Sequence, residues 1–311
     1  MPVKPNRLIT LIWLGLMISL PLSACDGLQT SREISASQTA QKESINTAAP
    51  ATTDTQTTSD IPASPSPSQD PQSRVCEDRS GSIDRYQIVR NGVELSGAIY
   101  LPPCYGLDPE LRFPTLYLLH GATETDQQWV NLGITEAADR LIADSTIPPL
   151  IIIMPLELTW VTLPENPFGD YLVADTVPWV DQEYLTLPDR EYRAIGGLSR
   201  GGNWAVRIGL LHWGMFGSIG AHSTPLFYGD LHRLPGWIEG IPTSRLPRIY
   251  LDIGEDDNNL KATEEFVEIL SELDVSYSWI LNPGLHEDIY WSAHLDDYML
   301  WYGSGWNDLV D

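Results

Sequence analysis

Two periodicities alternate along most of the chain. Short apolar runs predict strands at Asp84–Val89, Leu95–Leu101, Thr115–Leu119, Leu150–Met154, Tyr192–Gly196, Phe216–Ala221, Arg248–Ile253 and Tyr277–Leu281. Between the later ones, apolar residues recur at helical spacing over Ile134–Asp144, Tyr171–Glu183, Gly202–His212, Leu260–Leu273 and Ile289–Tyr302. Runs such as TLYLL and LIIIM are apolar throughout, as strands covered on both faces must be. Strands alternating with helices predict a mostly parallel eight-stranded α/β sheet, antiparallel at its start, with helices on both faces.

The pattern fails at the N-terminus. Lys4 and Arg7 precede an apolar run from Leu8 to Leu22 that is short for a membrane span and suits the core of a secretory signal. It closes on Leu22-Ser23-Ala24-Cys25, which resembles a bacterial lipoprotein signal. The resemblance implies cleavage after residue 24, a lipid on Cys25, and an extracytoplasmic protein held to a bacterial membrane by that lipid. Residues 25–74 are rich in Ser, Thr, Ala, Gln and Pro and poor in large apolar side chains, so they are expected to form a disordered tether. The folded domain is expected over 75–311.

Charge narrows the partners. A formal net charge of -24 argues against nucleic acid and against electrostatic adhesion to anionic lipid. Outside the cytoplasm paired cysteines oxidise, and Cys76 and Cys104 flank the first two strands, so a disulfide stapling the sheet edge is expected. Neither a metal nor a cofactor is expected: EDDNN lacks the spacing and the glycine of a calcium loop. The oligomeric state is not legible.

The stretch IGGLSRGG carries the candidate chemistry. Gly-x-Ser-x-Gly places a serine on a sharp strand-to-helix corner, where flanking glycines let neighbouring backbones pass. YRAIG reads as the strand and NWAVRIGLLHW as the helix, so Ser199 falls at the corner. A serine hydroxyl needs a base, and the base needs a carboxylate to hold it. Among six histidines only His286 lies in a loop directly after the last predicted strand. His120 precedes the nucleophile and is expected only to hydrogen-bond within its loop. The acid lies in LDIGEDDNNL, where Asp252, Asp256 and Asp257 all qualify.

Several motifs in order, LYLLHGATETDQQW, VPWVDQEYLTLPDREYRAIGGLSRGGNWAVRIGL, FGSIGAHS, LDIGEDDN and PGLHEDIYWSAHLDDYMLWY, resemble the esterase D-like family of α/β hydrolases, also called the "putative esterase" family. That family includes feruloyl and acetyl xylan esterases, S-formylglutathione hydrolase, enterochelin esterases and mycolyltransferases. The resemblance implies the α/β-hydrolase fold, Asp257 as the acid, and an oxyanion hole formed by the backbone N–H groups of Ala122 and Arg200. It departs from the common pattern at Arg200, where methionine is frequent. It implies hydrolysis of a small or carbohydrate-linked carboxylic ester, short acyl or feruloyl in type. An acyltransferase of the mycolyltransferase kind and a noncatalytic surface binding protein are the alternatives. Trp129, Trp160 and Tyr228 are the aromatic candidates for the substrate pocket, with core filling as their competing role.

Overall fold

In the computed structural model the described residues are 79–309, without 91, 159–165 and 228. Eight strands form one sheet in the order β1-β2-β4-β3-β5-β6-β7-β8. They are β1 (Ser82–Arg90), β2 (Val93–Leu101), β3 (Thr115–Leu119), β4 (Ile151–Pro155), β5 (Arg193–Leu198), β6 (Ser218–His222), β7 (Arg248–Gly254) and β8 (Ser278–Asn282). β1 with β2 and β2 with β4 run antiparallel, and every other pairing is parallel. The expected sheet is therefore present, antiparallel start included.

Strand composition follows position. β3, β4, β5 and β6 are buried at every residue, whereas the outermost strand β1 buries only Tyr86 and Ile88. Side chains alternate across the sheet, so Tyr117 and Leu119 enter one core while Leu116 and Leu118 enter the other. The first core is closed by Val180 of α4 (Val177–Glu183), Trp204 of α5 (Arg200–Leu211) and Phe266 of α7 (Leu260–Glu272). The second is closed by α1 (Gln128–Leu132), α2 (Ile134–Ala143), α8 (Asp288–Ala293) and α9 (Leu295–Gly303), through Trp129, Ala138, Trp291 and Tyr298.

Two expected helices are interrupted. Tyr171–Glu183 resolves into α3 (Phe168–Tyr171), a π turn over Leu172–Thr176, and α4, with Pro178 in the first turn of α4. Proline has no N–H to give and its ring crowds the preceding turn, and the helix widens just before it. Ile289–Tyr302 divides into α8 and α9 at His294, whose φ of -111° and ψ of 9° leave the helical region. Two short helices carry no clear sequence signal: α1, and α6 (Leu234–Glu239) between β6 and β7.

Because β3 to β8 run parallel, the loops that follow them emerge at one edge of the sheet. That edge brings together residues far apart in sequence.

Candidate active site

The corner after β5 is as tight as its glycines require. Ser199 has φ 51° and ψ -118°, a conformation L-residues rarely adopt, and its N–H donates to the His222 carbonyl at 2.8 Å. A Cβ on Gly197 would lie 2.4 Å from the Gly201 carbonyl carbon, and one on Gly201 would lie 2.1 Å from the Leu119 carbonyl oxygen. Only glycine lets β5, α5 and the end of β3 approach this closely.

Two further loops complete the arrangement. His286, after β8, places Nε2 2.9 Å from Ser199 Oγ and Nδ1 2.8 Å from Asp257 Oδ2, and Asp257 follows β7. With the proton on Nδ1 donated to the carboxylate, Nε2 presents a lone pair to the serine hydroxyl. Burial raises the Asp257 carboxyl, but hydrogen bonds from His286, the Asn259 N–H and Ser223, with the charge of His286, outweigh it and hold its pKa below the ordinary 3.8. The carboxylate is ionised wherever the imidazole is a useful base. Asp256 is exposed, and Asp252 is turned into the interior, where it binds His222. Geometry thus selects Asp257 among the three candidates.

A cleft of about 330 Å³ opens over the serine and is lined by Ala122, Gln128, Ser199, His286 and Trp291 among others. Of the two expected oxyanion donors, Ala122 lines the cleft just beyond the end of β3, and Arg200 opens α5 as the residue after Ser199. Glu124, Glu287 and Asp288 also line the cleft and are exposed, making its mouth acidic.

The aromatic expectations fare differently. Trp129 is 1% exposed, donates its indole N–H to the Leu119 carbonyl at 3.1 Å and packs edge-on against His222 and Tyr298. It is a core residue and not a substrate contact, because the short helix α1 turns it inward. Trp160 and Tyr228, like Cys25 and Cys76, lie outside the described residues. Trp291, which the sequence reading did not single out, lines the cleft, stands edge-on to the His286 ring at 5.0 Å and donates to Ser223 Oγ at 3.0 Å. Its five-residue spacing from His286 was the available signal, but a buried core role predicts the same spacing.

Glu157, just beyond β4, was also missed. Its buried carboxylate accepts from Arg200 Nε at 2.9 Å, Arg200 Nη2 at 2.6 Å, Trp204 Nε1 at 3.0 Å and Asn166 Nδ2 at 2.7 Å. His120 keeps the loop role expected of it: Nε2 accepts from the Glu157 N–H at 2.9 Å, so its proton sits on Nδ1 and is donated to the Gly121 carbonyl at 2.8 Å. Burial lowers its pKa, which favours this neutral form.

Comparison with known proteins bears on the family and the fold. The family model described as "Putative esterase" matches residues 90–157 and 164–297. The chain is 28% identical over 211 residues to an endo-1,4-beta-xylanase/feruloyl esterase of Xylanibacter ruminicola, covering 64% of this chain and 28% of that protein. It is 31% identical over 121 residues to Esterase Rv1288 of Mycobacterium tuberculosis, covering 36% of this chain and 25% of that one. The chain thus spans only 28% and 25% of the length of these curated relatives. A solved ferulic acid esterase superposes with a TM-score of 0.65 at 24% identity, over 73% of this chain and 99% of that one, which shows a shared α/β-hydrolase fold.

Proposed function

The chain belongs to the "Putative esterase" family, and from that premise we propose that it is a serine carboxylic ester hydrolase acting through Ser199, His286 and Asp257. The observation that carries the reading is the unbroken relay from Ser199 Oγ through His286 to Asp257, at 2.9 and 2.8 Å. Ser199 Oγ attacks the ester carbonyl carbon as its proton passes to His286 Nε2, and Asp257 stabilises the resulting imidazolium. The carbonyl oxygen gains a negative charge facing the N–H groups of Ala122 and Arg200. Donors of this kind contribute on the order of 3 to 4 kcal/mol each to the transition state. Collapse expels the alcohol, which takes the proton from His286, and leaves an acyl-enzyme; water then repeats the sequence and releases the acid.

Short acyl or feruloyl-type esters, carbohydrate-linked among them, are the substrate class in this reading. It is supported by the feruloyl esterase named among the relatives and by a cleft with an aromatic wall at Trp291. Location belongs to the same proposal: a lipoprotein anchored through Cys25, supported by the Leu22-Ser23-Ala24-Cys25 stretch after its apolar run. A bridge from Cys76 to Cys104 fits that compartment and is supported by the place of the two cysteines on either side of the first two strands.

The test is labelling with a fluorophosphonate probe, followed by turnover of acetyl, butyryl, octanoyl and feruloyl esters with and without a sugar acceptor. Labelling lost in Ser199→Ala, with free acid as the product, is expected. An unlabelled wild-type chain would refute the enzyme, and acyl groups appearing on the sugar would assign a transferase.

A further inference from the structure

Glu157 stands at the crossing of two hydrogen-bonded chains that lead to the two sides of the cleft. One runs through its carboxylate. Both oxygens are taken by the guanidinium of Arg200, at 2.9 and 2.6 Å, with Trp204 and Asn166 filling the remaining acceptor positions. Arg200 is the first residue of α5 and the one after the nucleophile, so pinning its fork also pins the helix start that bears its backbone N–H.

The other chain runs through the Glu157 backbone. Its N–H donates to His120 Nε2 at 2.9 Å, and His120 Nδ1–H donates to the Gly121 carbonyl at 2.8 Å. That carbonyl belongs to the peptide unit whose N–H is Ala122's. In a trans peptide the C=O and N–H point in opposite directions, so holding the oxygen fixes where the Ala122 N–H aims. A hydrogen bond to the oxygen also polarises the unit and strengthens its N–H as a donor. Gly121 is anchored from its other side by donation of its own N–H to Gln128 Oε1 at 2.8 Å.

We propose that Glu157 is a positioning residue for the oxyanion hole, setting the Arg200 donor through its carboxylate and the Ala122 donor through its backbone and His120. The inference rests on the esterase reading of Ser199. It gives the Arg200 side chain a task that methionine at that position could not perform. The buried carboxylate, 5% exposed, is compensated by Arg200 and the neutral donors, so removing either charged partner leaves the other uncompensated.

The test compares wild type, Glu157→Gln, Arg200→Met and their combination. Each is measured for kcat and KM on 4-nitrophenyl acetate and for affinity toward phenylboronic acid, whose anionic tetrahedral adduct on Ser199 occupies the same donors. Glu157→Gln is expected to lower kcat about tenfold to hundredfold, less than outright loss of a donor, and to weaken the boronate in parallel. KM should move by less than roughly twofold, because the ground-state carbonyl gains little from these donors. The double variant should be no slower than the slower single one, since both changes break one unit. If Glu157→Gln does not fold, Arg200→Lys, which keeps the charge and loses the fork, should show the same paired loss to a smaller degree. Wild-type kcat and boronate affinity in a folded Glu157→Gln, losses that multiply in the double variant, or a change confined to KM would overturn the proposal. A wild-type chain that no fluorophosphonate labels would overturn the esterase reading with it, whereas a labelled wild type beside an unimpaired Glu157→Gln overturns the positioning role alone.

Discussion

Asp252 Oδ1 lies 2.6 Å from His222 Nδ1, with both side chains fully buried. The pair has the spacing of a catalytic acid and base but no nucleophile. His222 Nε2 instead meets Tyr302 OH at 3.1 Å, and the other Asp252 oxygen accepts from Tyr290 and Tyr298, each at 2.8 Å. Five residues further on, Asp257 makes the corresponding contact with His286 at the edge of the cleft, next to Ser199. One pair holds the interior together and the other borders the cleft.

Substitution of the three acids should separate these roles. Asp257→Asn should lower kcat on an activated ester by roughly three to four orders of magnitude with the fold intact, because the imidazole loses its orienting acceptor. Asp256→Asn, on an exposed side chain, should leave kcat nearly unchanged. Asp252→Asn should act on stability: an amide cannot satisfy all three donors, and urea unfolding should register a loss on the order of 3 kcal/mol. Reversed effects for Asp256 and Asp257 would contradict the observed register.

The corner after β5 makes a steric prediction. Gly201→Ala places a methyl 2.1 Å from the Leu119 carbonyl oxygen, so the backbone must move, at a cost of about 2 kcal/mol or more and with loss of turnover. Gly214→Ala, whose added methyl meets nothing within 4 Å, is the control and should match wild type in melting temperature and rate.

Two tryptophans should behave oppositely. Trp129→Ala empties a core site and should cost about 3 to 5 kcal/mol in a denaturant titration. Trp291→Phe keeps an aromatic edge against His286 but gives up the hydrogen bond to Ser223, and should show in kcat more than in stability. A rise in KM for Trp129→Phe, with stability unchanged, would restore that residue to the substrate pocket.

Stability should fall with acid in two windows. His120 has a folded pKa below its ordinary 6.5, so the unfolded chain binds its proton first, and the contribution of the neutral ring is lost as pH falls below about 6.5. Asp257 has a folded pKa below 3.8, so its contribution is full above that value and is lost as pH falls through the lower folded one. Unfolding free energies measured against pH should flatten in the upper window for His120→Gln and in the lower one for Asp257→Asn. A wild-type curve level from pH 7 to 4.5 would contradict the first assignment.

The acidic cleft mouth should select against anionic esters. Glu124, Glu287 and Asp288 face an incoming substrate, so a hemisuccinate ester should show a higher KM than the matching butyrate, narrowing with added salt. Glu287→Gln/Asp288→Asn should reduce the gap. Equal KM values at low ionic strength would remove the electrostatic argument.

The sequence by itself determined what depends on local pattern and chain order. Apolar runs placed eight strands, because a strand buried on both faces can carry little else, and the fifth run ended on glycines where only a sharp turn fits. Ser199 and His286 followed from their places after predicted strands. Asp257 needed the family resemblance as well, since local chemistry does not distinguish three acids within six positions. Only the tertiary structure decided which of them faces His286, because a carboxylate's direction depends on how β7 pairs with its neighbours. The same holds for Trp129, a candidate for the pocket with core filling as its competing role: whether a short helix turns a side chain into the core or the cleft is set by packing, here against Tyr298 of α9. Glu157 was out of reach for a related reason. Its partners at 120, 166, 200 and 204 come from three separate segments, the last two sharing α5, and nothing in a run of neighbours records a contact that exists only once the sheet has closed.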